Sequence, residues 1–511
     1  MKVLYYNWVD YLDAEKRGGG VTVYQANLMK RLQEQPGVEA WFLSAGISYD
    51  LFSSKPRWEK LRHGPSDDAP RYEIVNSGIL SPAHMSFGNP AQVSHPETAE
   101  VFFDFVKAHG PFDVIHFNNL EGIPAEVLEL KQQWPQTKVV LSLHNYYPFC
   151  PQVNLWQQEK IHCADFGGGR KCRSCLQKKP EERAVRLAGA VAYNLKKYGC
   201  GPGTRVFDRG FGTAVRVASR LVRAHGKLRR QASGQAAAAA RTAVRLSPEA
   251  EFPINPSPAA DFAVRRERFL ELINRNCDHV LGVSERVSEI AREYGVNPEL
   301  VSTAYIGTRQ YGKFQETAPR PSLLDEDGVL TLGYLGYMRR DKGYFFLLDA
   351  LNALPKDVAQ RVRLVLAAPR GRTLEPLREL SGHLRDVVYS DGYSHDQLDE
   401  LLAPVTLGVV PVLWEDNLPQ VAIEMHARHI PLLTSSRGGA RELGNCPDLV
   451  FEAGDEQAFA ARIEAALEGR IDLDSYWANA RPPVSMTQHT EALLELYRQA
   501  PARSQVQTAA Q

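Results

Sequence analysis

The densest chemistry in this sequence lies in PVLWEDNLPQVAIEMHARHIPLLTSSRGGARE, residues 411–442. A strand is expected to end there in the acidic, Asn-containing turn Glu415-Asp416-Asn417, and a helix to open at Leu418-Pro419, because proline suits a first helical turn. Free backbone N–H groups and the positive end of the helix dipole at such a point bind phosphate without a side chain. That places Asn417 and Leu418 at an anion site. Glu424 lies about two helical turns from the acidic pair, so turn and helix can share one ligand. A carboxylate accepts hydrogen bonds from paired hydroxyls, so Glu424 suits a ribose.

Other candidates are spread along the chain. Gly18-Gly19-Gly20 sits between the first expected strand and the first helix, where glycine lets backbone approach a ligand closely. His116 with Asn118-Asn119, and His144 with Asn145, fall at strand ends; a lone histidine there is more often structural than catalytic. Ser284 reads as a helix N-cap. Cys150, Cys163, Cys172 and Cys175 form C-x12-C-x8-C-x2-C, and the embedded C-x2-C is a chelating spacing. Three readings of this set stay open: structural tetrahedral zinc, unmetallated buried thiols, and a disulfide or iron–sulfur site.

The elements that must position these residues alternate in a β-α-β rhythm: KVLYYN at 2–7, a helix-like run from Val21, AWFLSAG at 40–46, DVIHFN at 113–118, a helix-like EGIPAEVLELKQQ, and KVVLSLHN at 138–145. These strands are apolar on both faces, as buried parallel strands are. A second series runs from LTLGYLG at 330–336 through VRLVLAAP, DVVYSDG, LGVVPV, IPLLTSS and LVFEAG. The fold class is therefore α/β, with two Rossmann-like doubly wound domains facing a central cleft where the strand ends bring ligands. The expected division is an N-terminal acceptor domain over 1–305, a C-terminal donor domain over 316–484, and a final helix and tail over 485–511. The last helix is expected to pack back on the first domain.

An insertion of about residues 170–260 interrupts the first domain; Arg170 to Arg245 holds nineteen Lys and Arg against three acids. It reads either as a solvated helical excursion or as a basic amphipathic surface that meets anionic membrane or a lipid-phosphate acceptor. No base-stacking aromatic pattern accompanies the charge, so no nucleic-acid partner is expected. Overall, sixty basic side chains balance sixty acidic ones and name no partner. The first residues do not read as a secretory signal, and no run nears the about 18–20 apolar residues of a bilayer span. A cytoplasmic protein is expected, in contact at most with the inner face of the membrane.

The segment around Asp416 and Glu424 resembles the acid-x7-acid donor motif of the retaining GT-B glycosyltransferases of family 4, and IPLLTSSRGGARE is similar to the strand, Gly-Gly and Glu signature that follows it. The resemblance implies that Glu424 holds the donor ribose and that Asp416 is the first acid, with Glu415 one residue off register. LTLGYLGYMRRDKG at 330–343 resembles the motif in which a Gly-Arg pair and a later Lys-Gly pair grip the donor diphosphate. Lys342-Gly343 matches, whereas Tyr337 stands in the Arg position, and Arg339 or Arg340 is expected to reach the phosphate instead. Gly19 and Gly20 would face the donor phosphates or the acceptor, and His144 would lie beside the reacting sugar. A subset of the family has a similar His, Cys-Pro and Cys-x2-Cys run.

The function implied is retaining transfer from a nucleotide sugar, a UDP- or GDP-sugar, to a saccharide or lipid-linked saccharide acceptor in surface polysaccharide or glycoconjugate synthesis. It needs no catalytic divalent metal; His144, Lys342 and Glu424 are the expected catalytic residues. A nucleotide-sugar epimerase or phosphorylase on the same architecture, and a non-catalytic nucleotide-binding or scaffold protein, are the alternatives.

Overall fold

The computed structural model describes residues 1–86, 88–177, 181–215, 217, 252–371 and 374–499. Eight strands form the first sheet, in the spatial order Val301–Thr303, His279–Gly282, Lys138–Leu143, Val114–Phe117, Lys2–Tyr6, Glu39–Ala45, Arg71–Val75 and Arg57–Lys60. All pairs are parallel except the edge strand Arg57–Lys60, which runs antiparallel to Arg71–Val75. The first strand is buried along its length beyond Lys2 and pairs on both sides, Tyr5 with Phe42 and with His116. Helices cover it on both faces, which explains its unbroken apolar pattern.

The second sheet has six parallel strands in the order Asp386–Asp391, Val362–Ala368, Leu330–Leu335, Leu407–Val410, Leu432–Ser435 and Val450–Phe451. In each sheet the first strand of its series lies where the strand order reverses, and the loops leaving the two central strands open a crevice at their carboxyl ends. In the second sheet those loops are 336–343 and 411–419. They touch: Gly343 has φ of 71°, and a Cβ there would lie 1.7 Å from the Pro411 carbonyl oxygen, so only glycine fits.

The last helix, Met486–Arg498, returns to the first domain and packs on Gly19–Gln33. The contact is a buried polar network: the Tyr5 and Tyr497 hydroxyls are 2.9 Å apart, the Tyr24 hydroxyl is 2.8 Å from His489 Nε2, and Lys138 Nζ donates to the Tyr497 carbonyl at 2.8 Å. His116 belongs to this network. It is fully buried, with Nε2 2.7 Å from Ser142 Oγ and Nδ1 on the Tyr497 hydroxyl, and its role is structural.

Two local readings of the sequence change. EGIPAEVLELKQQ gives a 3-10 helix, Ala125–Gln132, following Pro124. The helix expected to open at Leu418-Pro419 starts later, at Gln420, with Pro419 as its N-cap at ψ of 132°. Within the insertion, the helix Glu182–Lys197 is docked and not a solvated excursion: Arg186 donates to the carbonyls of Ser77 and Gly78, each at 2.7 Å, and stacks over Tyr49. The Ala-rich run of the insertion, and with it most of the expected basic surface, lies outside the described residues. Among the described residues no helix is long and apolar enough to cross a membrane.

Candidate active site

The crevice of the second sheet collects Lys342, Asp416 and Glu424. Lys342 Nζ donates to Asp416 Oδ2 at 2.6 Å and lies 5.5 Å above the Trp414 ring. Glu415 turns the other way. Its carboxylate accepts from Gly438 N–H at 2.9 Å, from Arg437 at 3.3 Å, and from Arg286 of the first domain at 3.3 Å through both Nε and NH2. Burial pushes this carboxyl up, but the Gly438 N–H and the Arg286 guanidinium outweigh it and hold it below the usual carboxylate range. Of the two adjacent acids, then, Asp416 meets the lysine and Glu415 fastens the domains.

The Gly-Gly pair makes this turn possible. Gly438 has φ of +72°, and a Cβ would fall 2.2 Å from the Asp416 carbonyl oxygen; at Gly439 it would fall 2.4 Å from that of Asn417. Glu424 projects from the short helix Gln420–His426 and is 4% exposed. The Tyr393 hydroxyl donates to its Oε2 at 2.9 Å and His395 Nδ1 lies 3.6 Å from Oε1. Burial raises this carboxyl, against the Tyr393 hydrogen bond. Tyr393 and His395 lie in the loop after Asp386–Asp391 and carry no signal of their own in the sequence.

The first domain closes the other side. Gly19 and Gly20 form the first turn of Gly19–Gln33, and a Cβ on Gly20 would lie 3.0 Å from Gln420 Cγ of the second domain. Asn417 is a stitch between domains: its Nδ2 donates to the Leu143 carbonyl at 3.4 Å, and its carbonyl accepts from Ser284 Oγ at 2.7 Å. Ser284 also caps the helix Glu285–Glu293 by accepting from Val287 N–H. Glu442 adds a second cap across the interface, accepting from the N–H groups of Glu285 at 2.9 Å and Arg286 at 2.8 Å. Leu418 is buried beside Asn417.

His144 lies beyond the end of Lys138–Leu143 with its ring 5.2 Å from that of Tyr24. Its Nε2 has no hydrogen-bond partner among the described residues. Burial pushes the imidazole down to about 3, so it is neutral at ordinary pH. A neutral ring can share a hydrogen bond with a hydroxyl but brings no positive charge.

Two expectations fare differently. Arg339 is exposed and forked onto Asp341 at 2.8 and 2.9 Å, and Arg340 donates to the Glu159 carbonyl at 3.4 Å. Tyr337 is half exposed and lies close enough to Tyr393 to perturb it. The four cysteines do line one small cavity. Yet among the described residues no group of three or more His, Cys, Asp or Glu is placed to hold a metal ion, so the zinc reading finds no support. The thiols engage locally instead: Cys163 Sγ donates to the Asp165 carbonyl at 3.7 Å, Cys175 Sγ to that of Trp156 at 3.9 Å, and Gln152 Nε2 donates to Cys175 Sγ at 3.0 Å. Burial keeps three of them protonated, pushing Cys163 up to about 11 and Cys172 and Cys175 to about 12.

Residues 329–469, which hold the Lys342–Asp416 pair and Glu424, match the family described as glycosyl transferases group 1. The match covers the second domain and not the first. No curated protein matches the sequence. Solved structures do match it over nearly its whole length. HepE of Anabaena, solved with UDP, is 13% identical, with 97% of this chain and 99% of that chain covered and a TM-score of 0.51. Sucrose-phosphate synthase from Thermosynechococcus elongatus is 14% identical, with 98% of each chain covered and a TM-score of 0.51. An E. coli trehalose-6-phosphate protein bound with UDP-2-fluoro glucose is 11% identical, with 98% and 100% covered and a TM-score of 0.51. At these identities the likeness shows the fold alone, the two-domain GT-B architecture.

Proposed function

We propose that this glycosyltransferase takes a sugar from a UDP- or GDP-sugar and passes it, with retention, to a saccharide or lipid-linked saccharide acceptor. The observation that carries the reading is Lys342 held 2.6 Å from Asp416 at the switch point of the second sheet, with Glu424 on the helix that follows the same loop. The UDP and UDP-2-fluoro glucose carried by two of the similar structures favour a uridine donor. A place in polysaccharide or glycoconjugate assembly fits the likeness to the lipopolysaccharide outer core galactosyltransferase WaaB, 11% identical at a TM-score of 0.50.

In this reading the donor diphosphate displaces Asp416 from Lys342. The lysine and the N–H groups opening the helix Tyr344–Asn352 then hold the phosphates. Glu424 accepts the ribose hydroxyls, and the freed Asp416 faces the transferred sugar. The bond between the anomeric carbon and the phosphate oxygen breaks while the acceptor oxygen bonds to the same face of that carbon. The acceptor's proton passes to the departing phosphate. The charge on that phosphate grows in the transition state, so a fixed cation such as Lys342 stabilises it more there than in the ground state. With that task given to Lys342, the reading calls for no divalent metal. Neutral His144 offers its unpartnered Nε2 to a sugar hydroxyl.

A thermal-shift screen with UDP, GDP, ADP and their sugar conjugates tests the donor assignment. One nucleotide is expected to raise the melting temperature selectively, since a ligand of the native state stabilises it. No shift with any of them, in folded protein, would overturn the reading. Nucleoside diphosphate released only when an acceptor is added separates transfer from epimerisation.

A further inference from the structure

A cavity outside the donor crevice lies wholly in the first domain. It measures about 460 Å³, within the roughly 300–1,000 Å³ range of small-molecule sites. Its walls come from the loop after the first strand, from the ends and loops of the neighbouring edge strands, and from the insertion, through Lys196 and the loop that runs to Thr204. The docked insertion thus completes a binding cavity.

The carboxylates in these walls already have partners. Asp10 Oδ1 lies 2.8 Å from Arg71, Asp13 is forked by Arg17 at 2.6 and 3.0 Å, and buried Glu73 accepts from His63 at 3.0 Å and from Ser48. Lys196 bonds Glu15. Arg62 stands exposed at the mouth. A phosphate entering would meet three carboxylates, and the two arginines beside them are already paired with Asp10 and Asp13. A neutral ligand rich in hydroxyls would instead find acceptors and donors together, as each carboxylate and hydroxyl keeps spare lone pairs. Asp10, 8% exposed, has its Oδ2 without a partner among the described residues. Leu12, Ile47 and Leu61 add apolar surface for the C–H face of a sugar ring.

One loop links this cavity to the reaction crevice: Asp10 to Arg17 line the cavity, and three residues on, Gly20 abuts Gln420 of the donor domain. We infer that the cavity binds the neutral saccharide end of the acceptor, with the insertion helix as its wall. Its place as an acceptor site rests on the sugar-transfer reading; its binding of a neutral sugar does not.

Saturation-transfer NMR on the full chain tests this with the methyl glycosides of glucose, galactose and mannose and with N-acetylglucosamine, with inorganic phosphate and UDP in separate samples. At least one sugar is expected to receive saturation. Ala14→Trp, which places a ring at the exposed rim, and Asp10→Asn are each expected to weaken that binding by about tenfold or more. The second variant and a melting curve guard against misfolding in the first. No saturation of any of the four sugars, undiminished binding in both variants, or phosphate bound with the same sensitivity to them would overturn the inference. Sugar binding of the expected kind without UDP binding would count against the donor assignment alone.

Discussion

In the crevice of the second sheet every acidic group near the reaction already has a partner: Asp416 has Lys342, Glu415 has Arg286 and Arg437, and Glu424 has Tyr393. The first domain keeps its ligand contacts open, with His144 Nε2 and Asp10 Oδ2 unpartnered among the described residues and a cavity of about 460 Å³ beside the latter. On the proposed reading the second domain is assembled in advance around a donor diphosphate, with Asp416 holding Lys342 in place until that ligand arrives. On the same reading the first domain contains the acceptor, and choice of acceptor rests on the walls that the insertion completes.

The largest effect expected from breaking this contrast is at Lys342. Lys342→Ala should lower kcat/KM by about 100- to 1,000-fold, the scale of removing one transition-state contact, with an unchanged melting curve; steady-state kinetics checks this. In the first domain, buried Glu121 carries a pH signature. Burial, against hydrogen bonds from Ala83 N–H and Asn145, raises its carboxyl to about 7. A folded-state value raised above the unfolded one stabilises at low pH, and that contribution is lost as pH rises from about 4.5 through 7, worth on the order of 3 kcal/mol. Denaturant titrations at pH 5 and pH 8 should show the loss, and Glu121→Gln should flatten it.

Glu424→Gln should weaken nucleotide affinity by about tenfold, because ribose hydroxyls lose a charged acceptor; calorimetry reads it. The smallest effect on the reaction is expected where the last helix ties the domains together. Tyr497→Phe removes the hydroxyl shared with Tyr5 and His116 and should cost about 1–3 kcal/mol of stability without altering nucleotide affinity.

The same contrast explains what the sequence reveals. Parallel strands apolar on both faces mark the two sheets, and the donor acids fall within one segment because turn and helix are consecutive there. Glycine at 343, 438 and 439 is readable because only glycine fits those approaches. The partners that finish the site are not readable. Tyr393, Arg286 and the capping role of Glu442 depend on folding distant segments together, and the cavity draws on parts of the chain from Asp10 to Thr204. The cysteine spacing invited a metal, but spacing says nothing of where each thiol turns. Register was also hidden: Glu415 and Asp416 are adjacent, and only the fold shows which one faces Lys342.

The central claim is that Lys342 exchanges Asp416 for the donor diphosphate, and UDP affinity in Asp416→Asn tests it most directly by isothermal titration calorimetry beside Lys342→Ala. The account predicts opposite signs: losing the lysine weakens UDP binding, whereas removing the aspartate's charge frees the lysine and strengthens it, even as turnover falls. Weaker UDP binding in both variants would contradict the exchange and make Asp416 a direct support of the nucleotide.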